Sequence, residues 1–142
     1  MRYWDASAIV PVLASQPRSA AVIALLEQDR QVITWWGTRT ECVSALARLD
    51  REGHVAPSEL GDAFARLEAL ADHWQELTPT SRLRQVAERH LRVHPLRAVD
   101  AFQLAAAVIA ADGSPETLPF MTLDDRLARA AEREGFPVVE PV

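Results

Sequence analysis

The chain has 142 residues, 49% of them hydrophobic and 25% charged, which is the mixture of a folded globular protein and excludes intrinsic disorder. One core forms at this length without staples, and the single cysteine, Cys42, excludes both an internal disulfide and a multi-cysteine zinc site. The formal net charge of -5 excludes a diffuse basic surface for nucleic acid, and no apolar run is long enough to span a membrane.

Arg2 to Trp4 reads as a short apolar strand ending at Asp5. Ser7 to Ala14 reads as one or two helical turns, closed by Ser15-Gln16-Pro17. Ser19 to Asp29 carries an apolar stripe at Val22, Ile23, Leu25 and Leu26 and is expected to be helical. Val32 to Trp35, β-branched and aromatic, is the second strand. Thr38 to Arg51 follows as a helix with Gly53 as its stop, and Ser58 to Asp72 as another. Trp74 to Leu77 alternates weakly and reads as a third strand. Ser81 to Val93 is helical and stops near Pro95. Arg97 to Ala111 is an alanine-rich helix, apolar on most faces after Asp100 except at Gln103, and so expected to be buried. Pro119 to Thr122, Asp124 to Glu134 and Val138-Val139 complete the pattern as strand, helix and strand.

No repeat, low-complexity tract or linker interrupts this order, so residues 1–142 are read as one domain. Short apolar strands alternating with helices predict an α/β fold, a parallel sheet flanked by helices on both faces. An acid at Asp5, where a signal peptide needs apolar residues, predicts a cytoplasmic protein.

In a parallel α/β sheet the site lies at the carboxyl ends of the strands. Asp5 follows the first strand, Glu41 follows the second shortly after, and Asp124 follows the fourth. Asp100 stands in the first turn of the alanine-rich helix. Four carboxylates opening toward one edge repel one another, and a hard divalent cation relieves that repulsion. Oxygen donors without histidine or thiol suit Mg²⁺ or Mn²⁺. Each acid also has a plainer use. Asp5 and either Asp124 or Asp125 fit helix caps, Thr38 and Glu41 have capping-box spacing, and Arg97 is placed to pair with Asp100. If capping is their whole role, the chain is a non-catalytic protein-interaction module of α/β fold.

Taken together, the residues resemble a known family. Asp5-Ala6-Ser7-Ala8, Glu41 within Thr40 to Leu46, Asp100 within Leu96 to Ala107, and Met121-Thr122-Leu123-Asp124-Asp125 resemble the acidic motifs of PIN domains, in order and over almost the whole chain. The length resembles that of the VapC toxins of type II toxin–antitoxin systems. The resemblance implies a three-layer PIN-like fold with a short parallel sheet. It implies a Mg²⁺-dependent endoribonuclease, with Mn²⁺ as a substitute, that hydrolyses RNA phosphodiesters. The implied partners are an antitoxin and a second copy of the chain in a homodimer. The family's acids carry over to Asp5, Glu41, Asp100 and Asp124 as metal ligands and catalytic residues. Its small hydroxyls carry over to Ser7 and Thr122. Asp125 adjoins Asp124 and competes for the fourth acidic position, although Thr122-Leu123-Asp124 fits the motif better.

The remaining residues are expected to play supporting parts. Arg39, near the strand edge, is the expected phosphate contact, whereas Arg48 and Arg51 read as solvated helix surface. Trp36, beside Gly37, is available to stack on a base or pack against a partner. His54, His73, His90 and His94 read as surface or loop residues, since the four-residue spacing of His90 and His94 lacks the motif of a zinc helix. Cys42 reads as a small buried apolar residue.

Overall fold

The architecture follows from three strands whose neighbouring residues face opposite ways. In the computed structural model, which describes residues 1–142, β1 (Arg2–Trp4) lies at the centre of a five-stranded sheet. β2 (Val32–Trp35) and β3 (Gln75–Leu77) extend it on one side, and β4 (Phe120–Met121) and β5 (Val138–Val139) on the other. The order is β3-β2-β1-β4-β5, and every pairing is parallel. Tyr3 registers with Ile33 on one neighbour and with Phe120 on the other. These three side chains share one face and pack in a core with α5 (Ser81–Val93), α6 (Ala98–Ala111) and α7 (Asp125–Arg133). Trp4, Val32 and Met121 share the opposite face and pack with α1 (Ala6–Leu13), α2 (Ser19–Gln28), α3 (Thr38–Arg51) and α4 (Pro57–Ala71). The fold therefore has three layers. Both sheet faces are apolar because both are covered, which is why the strands show no polar alternation.

Cys42 is fully buried in the second core, as a small apolar residue would be. β3 is an edge strand with Gln75 and Glu76 exposed, which limits edge-to-edge association. α3 ends ahead of Gly53, whose φ of 74° supplies the left-handed turn that stops it.

His90 departs from the expected surface or loop placement, and His94, although in the turn that follows α5, is also removed from solvent. Both are buried, and the Nε2 of His94 lies 2.7 Å from Glu134 Oε1 at the end of α7. The His90 side faces the core because Leu83, Ala87 and His90 recur at helical spacing on the inner face of α5. The carboxylate of Glu134 supplies a hydrogen-bond partner for His94 but stands 3.9 Å from His90 Nε2, and the Nδ1 of both rings is unpartnered. Burial holds the His90 imidazole below its ordinary pKa. No helix is long and apolar enough to cross a membrane.

Candidate active site

Parallel strands deliver the starts of their following helices to one edge of the sheet. There Asp5, Glu41, Asp100 and Asp124 line a single cleft of about 790 Å³. Each acid stands at or near a helix start. Asp5 is the N-cap of α1 and Asp124 the N-cap of α7. Asp100 occupies the third position of α6, and Glu41 lies in the first turn of α3. The partial positive charge at these four helix ends offsets part of the acids' mutual repulsion.

The β1–α1 and β4–α7 junctions are stitched together by hydroxyls. Ser7 Oγ donates to Asp5 Oδ1 at 2.8 Å and accepts from the Leu123 amide at 2.8 Å. It also lies 3.2 Å from Thr122 Oγ1, which accepts from the Asp124 amide at 3.0 Å. Thr122 is buried beneath the cleft floor and does not line it. Asp124 Oδ1 in turn accepts from the amides of Arg126 and Leu127, at 2.9 and 3.0 Å. Ser7 thus holds the Asp5 carboxylate, and Ser7 and Thr122 together hold the backbone of the turn that presents Asp124. Asp125 is exposed and lies outside the cleft, so Asp124 is the acid that this junction presents.

Burial shapes the charge of the site. Asp5 is pushed up to about 6, chiefly by desolvation, against the lowering effect of its hydrogen bonds from Ser7, Thr122 and Ala8. Glu41 is pushed up to about 7 by desolvation, with Asp5 and Asp100 adding like-charge repulsion. Asp5, Asp100 and Glu41 thus lie close enough for their charges to act on one another.

Glu41 does not close the capping box with Thr38. Its Oε2 instead accepts a hydrogen bond from Gln103 Nε2, and that nitrogen also donates to Thr38 Oγ1 at 2.9 Å. Tyr3 Oη donates to Gln103 Oε1 at 2.7 Å. The Thr34 and Thr38 hydroxyls are hydrogen-bonded at 2.7 Å, and Thr34 donates to the Trp4 carbonyl at 2.7 Å. Asp100 Oδ2 accepts from the Arg97 amide at 3.3 Å and lies 3.5 Å from the Arg97 Nε, the pairing expected from sequence.

The donor set is oxygen only, which fits a hard cation such as Mg²⁺ or Mn²⁺. As the chain stands, Glu41 is engaged by Gln103 and Asp100 by Arg97, and no three acids are gathered into a ligand cluster.

Residues 2–133 match the PIN domain family. The chain belongs to that family. Two curated PIN relatives are ribonuclease VapC45 and ribonuclease VapC49, from two strains of Mycobacterium tuberculosis. Each is 33% identical over 136 residues, covering 94% of this chain and 90% of the relative. The fold is similar to that in the crystal structure of FitAcB from Neisseria gonorrhoeae, with a TM-score of 0.68, 20% identity and coverage of 99% and 98% of the two chains. It is also similar to PAE2754 from Pyrobaculum aerophilum, with a TM-score of 0.59, 20% identity and coverage of 92% and 84%.

Two features of this PIN cleft escaped the sequence reading. Gln103 and Tyr3 form the support of Glu41, and the only signal was a lone polar residue inside an otherwise apolar helix. The arginines lining the cleft are Arg48, exposed on α3, and Arg97, whereas Arg39, the expected phosphate contact, is not among the lining residues. Arg39 and Arg48 lie on the same helix nine residues apart, and composition alone does not say which turn faces the acids.

Proposed function

We propose that this chain is a metal-dependent endoribonuclease and the toxin of a toxin–antitoxin pair, acting in the cytoplasm as one domain. The observation that carries the reading is the convergence of Asp5, Glu41, Asp100 and Asp124 on one cleft. The names of the two ribonuclease relatives support the reaction class. Bound there, Mg²⁺ or Mn²⁺ would activate water for in-line attack on a phosphodiester and neutralise charge on the phosphoryl oxygens. Asp5 and Asp100 would hold the ion directly, with Glu41 and Asp124 completing its surroundings or acting through water. Ser7 and Thr122 hold Asp5 and the β4–α7 turn in place, and Gln103 holds Glu41. Arg48 and Arg97, with their planar guanidinium forks, are placed to bind phosphate at the rim. Attack by water would leave 5′-phosphate and 3′-hydroxyl ends. The family resemblance supplies the partners of this reading, an antitoxin protein and a second copy of the chain.

The test is cleavage of total RNA by purified protein with Mg²⁺ or Mn²⁺, with chelator, and with Asp100→Asn prepared identically. Discrete cuts that need the ion and vanish in the variant are expected. Cuts that persist in Asp100→Asn would reject the site. Absence of cuts together with absence of Mn²⁺ binding would return the acids to capping roles in an interaction module.

A further inference from the structure

We propose that Trp36 is a stacking platform for one unpaired base of the RNA, and that the groove beside it receives that nucleotide. The inference rests on the ribonuclease reading. It starts from an energetic mismatch. A cleft lined by four acids, in a protein of net charge -5, attracts a polyanion poorly. Contacts that do not depend on net charge therefore have a part in holding the substrate beside the cation and the rim arginines.

Trp36 is the exposed tryptophan at this site, with 56% of its surface open, whereas Trp4 and Trp74 are buried. Its indole walls the acidic cleft and also a second groove of about 410 Å³. That groove is completed by Trp35, Pro79, Thr80, Arg84 and Phe102, among others. The two depressions thus share Trp36 as a wall, together with Trp35 and Phe102. The ring is braced. Trp36 meets Trp35 edge-on, with centroids 6.3 Å apart, and Trp35 stacks on Phe102 at 5.3 Å with the planes 6° apart. Phe102 lies two residues beyond Asp100 on α6, so the platform is held at a fixed place relative to the acids.

An aromatic face beside a hydrolytic cleft recognises bases that are splayed out of a strand, and a duplex keeps its base faces covered. Arg84 is exposed, makes no ion pair and borders the same groove, which places a guanidinium where the nucleotide's phosphate would lie. The occupant that fits an aromatic wall and a free guanidinium is one nucleotide of single-stranded RNA next to the scissile phosphate.

The test measures binding of short, random-sequence single-stranded RNA to Asp100→Asn protein in Mg²⁺, and cleavage of the same RNA by protein with Asp100 intact. Adding Trp36→Ala to Asp100→Asn is expected to weaken binding by about 5- to 150-fold, the range for loss of one base–aromatic stack. Trp36→Phe should recover most of it, the same RNA annealed to its complement should bind worse, and RNA should quench tryptophan fluorescence only while Trp36 is present. In cleavage, Trp36→Ala should act chiefly on KM. Unchanged affinity in Trp36→Ala would overturn the platform and leave the indole to a protein partner. An equal loss in Trp36→Phe would also overturn it, since stacking tolerates the smaller ring. Failure of the unsubstituted protein to cut any RNA would sink the ribonuclease reading itself, whereas normal cutting with an unchanged KM in Trp36→Ala would sink only the platform.

Discussion

Gln103 donates from Nε2 to the Glu41 carboxylate, and it is Tyr3 that makes this the only satisfactory orientation of the amide. The Tyr3 hydroxyl gives its proton to Gln103 Oε1, and burial holds that phenol well above its ordinary pKa, so it stays a donor. The central strand thereby dictates the direction of an acid on α3 through a residue on α6. Gln103→Leu removes the donor and strands a buried hydroxyl, which costs about 1–3 kcal/mol in stability. Loss of support behind a ligating carboxylate commonly costs about 10- to 100-fold in metal affinity or activity. The expected result is a folded, less stable protein with cleavage reduced by about that factor. Thermal unfolding and RNA cleavage on the same sample check both parts.

Glu41 titrates near 7 in the fold and near 4.5 as a free side chain, so the native state holds its proton more tightly than the unfolded state does. This preference is fully present below about 4.5 and is lost as the pH rises through about 7. Metal-free protein should therefore lose stability over that window. Glu41→Gln keeps an uncharged group throughout and removes the loss. In chelator at about pH 8 the variant should be more stable than the parent by about 1–2 kcal/mol, after discounting for the partial exposure of Glu41. Near pH 4 the difference should nearly vanish. Thermal unfolding across that range is the measurement, and a parent that is more stable than the variant at about pH 8 would refute the repulsion.

The same two acids tie ion binding to proton release. Asp5 near 6 and Glu41 near 7 are partly protonated at neutral pH, and a cation takes carboxylates only after their protons leave. Mn²⁺ affinity should rise steeply between about pH 5 and pH 8 and level off above it. Calorimetry in buffers of different ionisation enthalpy should register proton release at about pH 6.5 and almost none at about pH 8.5. Asp5→Asn should weaken binding at every pH. Affinity that is flat with pH would mean that neither acid contacts the ion.

Most of the fold was legible because its signals are local. Short apolar runs with no alternation read as covered strands, and Asp5, Thr80 and Asp124 mark the starts of α1, α5 and α7 as their caps. The convergence of Asp5 and Asp124 was legible for the same reason, since Asp5 directly follows β1 and Asp124 stands three residues past β4. What escaped depends on tertiary contacts. Gln103 looks like a blemish in an apolar helix until Tyr3 and Glu41 are placed on either side of it. The burial of His90 and His94 is not visible in their surface or loop reading, and Glu134, which bonds His94, is 40 residues beyond it. The choice between Arg39 and Arg48 turned on the rotation of α3 about its axis, which its charge pattern does not specify.

Gly37 is held to glycine by packing, since its backbone is in the ordinary right-handed helical region, with φ of -74°. A Cβ at this position would run into the Trp35 indole nitrogen, with Cδ1 3.1 Å and Cε2 3.2 Å away. Trp35 is stacked flat on Phe102 and has little freedom to yield. Gly37→Ala should therefore displace the indole, at a cost of about 1–3 kcal/mol for overpacking. The displacement should spread along two routes. Through Phe102 it reaches α6 and Asp100, and through the N-terminal turn of α3 it reaches Glu41. The variant should unfold at lower temperature, show altered tryptophan fluorescence, and cut RNA more slowly than the parent. Trp35→Phe combined with Gly37→Ala should recover part of the stability, because the smaller ring vacates the space that the new methyl needs. A double variant no more stable than Gly37→Ala alone would show that the clash with Trp35 is not what keeps glycine here.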